Sequence, residues 1–140
     1  MSASTKTPSV RRSPTVQPRS DTPCLYIESG GIKKGSKLVS ARCEVVVDAR
    51  RLKNPHTPIK SKRVVDNFDG IKEWLQEEDA KAWESILQVC RSHLGRGKSV
   101  RVQCFGGQHR SFAVVEALGR EFAEMGVDIE VVHQDRVKVW

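Results

Sequence analysis

Apolar positions along the chain follow two rhythms that alternate. Runs of strand length occur at CLYIES (24–29), CEVVVDA (43–49), KSVRVQC (98–104) and VDIEVVH (127–133). CEVVVDA is continuously apolar, as expected of a strand covered on both faces. Helical spacing governs two other stretches. DGIKEWLQ starts one helix, and after Asp79 the positions Ala82/Trp83, Ile86/Leu87, Cys90 and Leu94 recur until Gly95. A second long helix opens at Ser111, with Phe112, Val115, Leu118/Gly119, Phe122 and Met125 as its buried stripe and Gly126 as its stop. Trp74 and Trp83 are expected in the core. Strands alternating with helices imply right-handed crossovers, so the pattern predicts an α/β domain with a small, mainly parallel sheet flanked by helices. RLKNPHTPIKSKRVVDN, with Pro55 and Pro58, reads as a long irregular connection, and such connections often carry function.

Residues 1–22 follow neither rhythm. Rich in Ser, Thr and Pro, they read as a disordered basic tail ahead of one domain over 23–140. The same basic, acid-poor bias fits a mitochondrial transit peptide, against which stand the prolines and the lack of an amphipathic face. Setting aside Lys6, Arg11, Arg12 and Arg19 lowers the net charge from +7 to +3. The globular part is therefore only mildly basic, compatible with RNA or phosphorylated metabolites as partners. No apolar run nears the ~20 residues that span a bilayer, and no short apolar block follows the basic N-terminus as in a secretion signal. A cytoplasmic protein with no membrane partner is the expectation. Cys24, Cys43, Cys90 and Cys104 lie far apart with no C-x-x-C pair, so they read as free thiols, with neither metal nor cofactor expected.

The chemistry concentrates where the KSVRVQC strand meets the second helix. Ligands of open α/β sheets bind at the carboxyl ends of strands. There the sequence runs Phe105-Gly106-Gly107-Gln108-His109-Arg110-Ser111. Unpaired N–H groups and the positive end of the helix dipole favour an anion. Gly106 and Gly107 allow close approach of the backbone. Arg110 can grip two phosphate oxygens, Ser111 can cap the helix and reach the anion, and His109 adds a donor able to carry charge near neutral pH. A tight turn with a serine cap would explain the glycines and the serine but not His109 and Arg110.

The same residues spell C-x5-R-S, the loop of cysteine-dependent phosphatases. In that alternative Cys104 is the nucleophile, Arg110 holds the equatorial oxygens, and Asp66 or Asp69 supplies the leaving-group proton. The loop usually follows a histidine, whereas Gln103 precedes this cysteine.

Two further segments sharpen the picture. Asp48, Arg50, Leu52, Asn54, Pro55 and His56 form D-x-R-x-L-x-N-P-H, and His133-Gln134-Asp135 closes the last strand. With CFGGQHRS (104–111), they resemble the C-terminal domain of the RNase adapter protein RapZ and its relatives, over roughly residues 24–136. The resemblance implies an α/β fold and a pocket for a phosphorylated amino sugar, glucosamine 6-phosphate. It implies binding of a small regulatory RNA in longer relatives and no catalysis by this domain. Asp48, Arg50, Asn54, His56, Gly106, Gly107, Gln108, His109, Arg110, Ser111 and His133 become the expected ligand-binding residues. Lys33, Lys34, Lys37, Lys60, Lys62 and Arg63 form a basic set suited to RNA phosphates, with a protein effector as the other candidate partner. The chain departs from its relatives at Phe105, where they carry Thr, and at Gln103 and Gln134. It also lacks G-x-x-x-x-G-K-[ST], so ATP or GTP binding is not carried over. Ligand identity and oligomeric state stay open at this point.

Overall fold

The computed structural model describes residues 24–137 and the backbone of Arg11–Arg12. The elements in chain order are β1 (Arg11–Arg12), β2 (Leu25–Gly31), β3 (Val45–Asp48), α1 (His56–Lys60), α2 (Phe68–Glu78), α3 (Ala80–Gly95), β4 (Val100–Cys104), α4 (Arg110–Glu124) and β5 (Ile129–His133). Every strand pairing is parallel, in the order β1-β5-β2-β4-β3. Apart from β1, the expected disordered tail lies outside the described residues.

Alternation along each strand decides which face meets the helices. Ile27, Val100, Val102, Ile129 and Val131 point into one core with Leu75, Trp83, Ile86, Phe112, Val115 and Leu118 from the three long helices. Trp83 is buried, whereas Trp74 packs at the margin. The opposite face carries Tyr26, Glu28, Arg101 and Glu130, all buried. The segment between β2 and β3 crosses this face. Arg42 pairs with Glu130 at 2.7 Å and stacks over the Tyr26 ring, and Ser40 N donates to Glu28. So the helices occupy one side of the sheet and a polar loop seals the other.

Two expectations change. β3 is an edge strand, not one covered on both faces: Val45 and Val47 pack on the core while Val46 is 49% exposed. A continuously apolar run cannot reveal that its outer face lacks a partner. The long connection after β3 is not wholly irregular either, since it holds the short helix α1 behind Pro55. α2 starts at Phe68, one residue ahead of the expected DGIKEWLQ segment, with Asn67 Oδ1 accepting from Gly70 N at 2.8 Å.

A buried ion pair anchors the polar face. Arg101 Nη1 lies 2.5 Å from Glu28 Oε2, and both side chains are sealed from solvent. Tyr26 Oη and Gln134 Nε2 also donate to Glu28, while Arg101 Nη2 donates to the Gly31 and Lys37 carbonyls. Gly30 must lack a side chain because a Cβ there would collide with the Arg101 guanidinium. Removing one partner strands a buried charge. Arg101→Met should therefore destabilise the fold by about 3–5 kcal/mol, read as a lowered midpoint in urea unfolding.

Candidate functional site

The site grows from a contact between two strand ends. Ile32 N donates to the Phe105 carbonyl at 2.9 Å and Lys33 N to the same oxygen at 3.0 Å, so the exit of β2 is laced to the exit of β4. Gly107 has φ +75°, and a Cβ there would stand 2.6 Å from Gly31 N and 2.7 Å from Gly30 C. Gly107 is thus buried in backbone-to-backbone packing and is not among the residues lining the cleft, contrary to its expected role. Gly106 differs. The nearest atom to a Cβ there would be Lys33 Nζ, 3.8 Å away. Its backbone lies beneath a lysine ammonium.

A cleft of about 660 Å³ opens at this point, at the carboxyl ends of the parallel strands. Gly106, Gln108, His109 and Arg110 line it from the turn before α4. Asn54, His56, Ile59 and Lys60 line it from α1 and its approach, and Lys33 from the exit of β2. The first-turn N–H groups of α4 have no acceptor within the helix, and the positive dipole end lies with them. Asp66 is the one acid of the lining. Arg136 Nη1 sits 2.8 Å from Asp66 Oδ1 and 2.7 Å from the Gln108 carbonyl, with its guanidinium over the Phe112 ring. This arginine joins the β4–α4 turn to the segment before α2.

Several expected roles differ once placed. Arg110 is 8% exposed, and its Nη1 donates to the carbonyls of Arg50 (2.9 Å) and Leu52 (3.2 Å). It ties the connection after β3 to α4, while its Nε and Nη2 make no hydrogen bond among the described residues. Ser111 does not cap: α4 begins at Arg110 with His109 in the cap position, and the buried Ser111 hydroxyl bonds the Gly30 carbonyl at 3.3 Å. Asp48 and Arg50 form a half-exposed pair at 2.8 Å, off the cleft lining, in which Arg50 holds the Asp48 carboxyl below its ordinary range. The His133 side chain is sealed from solvent, with Nδ1 2.7 Å from Ser29 Oγ and Nε2 2.9 Å from Glu116 Oε1. A Ser–His–Glu series this enclosed gives no substrate access and instead joins β2, β5 and α4.

His109 also departs from expectation. Burial pushes its pKa below the ordinary 6.5, with Arg136, His56 and Arg110 acting in the same direction and Asp66, 3.8 Å away, only partly opposing. The surroundings thus favour the neutral imidazole, with the His56 ring 6.4 Å from it.

For the phosphatase arrangement, Cys104 reaches the cleft lining but is 2% exposed, its sulfur 3.3 Å from Ser111 Oγ. Asp66 lines the cleft, whereas Asp69 is exposed on α2 and does not. All four cysteines are free, and burial pushes the Cys43 and Cys90 thiols up to about 12. Among the described residues, no group of three or more His, Cys, Asp or Glu could hold a metal ion, and no helix is long and apolar enough to cross a membrane.

The family model described as the RapZ C-terminal domain matches residues 24–137. The chain belongs to the RapZ C-terminal domain family. Its relatives include a protein named nucleotide-binding protein from Geobacter metallireducens, 30% identical, and nucleotide-binding protein GSU1884 from Geobacter sulfurreducens, 32% identical. Each comparison covers 81% of this chain and 42% of the relative. A nucleotide-binding protein of Parafrankia sp. is 30% identical over 85% of the chain and 43% of its own length. The chain thus spans about two-fifths of these relatives. In this family member Lys33, Lys60 and Arg136 shape the cleft, roles that sequence motifs did not assign. A lysine just after a Gly-Gly strand end was the available signal for Lys33; Arg136 acts across the fold and left none.

Two outcomes follow from this geometry. Gly107→Ala combines a left-handed φ with a backbone clash and should cost about 2–5 kcal/mol in chemical unfolding. Because folded His109 takes up a proton less readily than the unfolded chain, its contribution is complete above the ordinary value of 6.5 and declines as pH falls through it. His109→Gln should flatten that part of the stability–pH curve; an unchanged slope would assign the dependence to other groups.

Proposed function

We propose that this domain is a binding module whose cleft holds a phosphorylated small ligand. The observation that carries the reading is the convergence of Lys33, Lys60, His56 and His109 with the start of α4 on a cleft whose one acid, Asp66, is already ion-paired to Arg136. Anions are favoured where helix N–H groups and cations meet in a partly dry concavity. The phosphate would rest on the Gly106 amide side beneath Lys33, with Arg110 holding the wall together by gripping the Arg50 and Leu52 carbonyls. Family membership makes an amino-sugar phosphate, glucosamine 6-phosphate, the first ligand to test. Asp48, Arg50 and His133 would then act at a distance, through the loop and sheet that frame the cleft.

RNA is the second partner of this reading. Exposed Lys34 and Lys37 follow Lys33, and exposed Lys62 and Arg63 follow Lys60, so cations extend beyond the cleft along two segments. Log affinity for RNA should fall linearly with log salt. An adapter role would use both surfaces.

Calorimetric titration tests the central reading. Glucosamine 6-phosphate should bind and glucosamine should not, and Lys33→Ala should lose about 1.5–3 kcal/mol of affinity, the scale of a hydrogen bond to a charged group. Equal heats for the two sugars would remove the phosphate claim. Turnover of p-nitrophenyl phosphate that disappears in Cys104→Ser would instead favour the phosphatase alternative.

A further inference from the structure

Phe105 is the largest apolar side chain that faces this cleft, and the phosphate reading makes no use of it. It is 57% exposed, while its neighbours in β4, Val102 and Cys104, are buried. The exposure is not looseness of the turn. The Phe105 carbonyl accepts from both Ile32 N and Lys33 N, so the backbone carrying the ring is pinned to the exit of β2. Ile59 from α1 adds a second apolar element to the same lining, and Lys33 and Lys60 stand among these groups. An aromatic face, an aliphatic neighbour and two ammonium groups in one cleft make a mixed surface. A sugar phosphate can lay one C–H face on the phenyl ring, but a planar base would cover more of the phenyl and isoleucine walls.

We infer that the ligand carries a flat ring as well as a phosphate, and that the cleft takes a nucleoside 5′-monophosphate with its base stacked on Phe105. The inference rests on the phosphate reading above. Phe105 and Gly106 are consecutive residues, so their Cα atoms are about 3.8 Å apart. A phosphate lodged at Gly106 beneath Lys33 is thus within one ribose of the phenyl ring. Bases stack on aromatic side chains whatever their sequence identity, because every base offers a π face. The cleft volume, about 660 Å³, falls within the range of small-molecule sites. Phe105 is then the specificity-determining residue, favouring phosphorylated ligands that carry a base over those that carry a sugar alone.

The test compares adenosine 5′-monophosphate with ribose 5-phosphate by calorimetry, on the native chain and on Phe105→Ser. The half-exposed ring makes this substitution tolerable to the fold. The nucleotide should bind the native chain about tenfold more tightly than ribose 5-phosphate. Phe105→Ser should lose about that factor for the nucleotide and leave ribose 5-phosphate unchanged. Equal affinities for the two ligands, or a preference that survives Phe105→Ser, would overturn the stacking inference while leaving the phosphate reading standing. Failure of both ligands to bind while glucosamine 6-phosphate binds would overturn the stacking inference alone; failure of all three would overturn the phosphate reading with it.

Discussion

The packing of the β2 exit on the β4 exit is the constraint from which the rest follows. Gly30 and Gly31 meet Gly107 at distances no Cβ could tolerate, and the Phe105 carbonyl then collects two amides from the opposite strand end. This seam sets the height at which the chain leaves β4 and hence where α4 begins. It also carries Lys33 over Gly106. Were the two exits to splay by the width of a methyl group, the helix start and the lysine would no longer address the same space.

Around the seam, long-range contacts hold the walls. Arg110 reaches back to the Arg50 and Leu52 carbonyls, and Arg136 reaches from beyond β5 to Asp66 and the Gln108 carbonyl. Below, His133 joins Ser29 to Glu116. Each contact draws together segments far apart in the chain, which is how a small parallel sheet can support a cleft. The buried Glu28–Arg101 pair braces the other face of the same two strands. The cleft is thereby built on strand ends braced by buried contacts on both faces, as a preorganised site requires.

Much of this was legible before any coordinates. The alternation in VRVQC assigns Arg101 and Gln103 to one face and the valines to the other. The helix stripes from Trp83 to Leu94 and from Phe112 to Phe122 match their buried sides, whereas Met125, expected to close the second stripe, is 59% exposed just past the end of α4. The turn after β4 was recognisable as a site because its residue types are unusual for a mere turn. What sequence could not show were partners. CEVVVDA looks the same whether or not anything covers Val46. Arg110 looks like a phosphate clamp until two carbonyls take its Nη1. Gly106 and Gly107 look alike, yet one lines the cleft and the other fills a backbone seam. His109 looks chargeable until burial lowers its proton affinity.

The proposed binding mode lodges an oxyanion on the backbone between Gly106 and the start of α4, under Lys33. Amide chemical-shift mapping by NMR, with glucosamine 6-phosphate or adenosine 5′-monophosphate added to the native chain, tests it most directly. Saturable shifts should be largest at the amides of Gly106, Gln108 and His109, with Lys33 responding alongside. Shifts confined to the β3 edge and α3, with the amides of 106–109 unmoved, would contradict it.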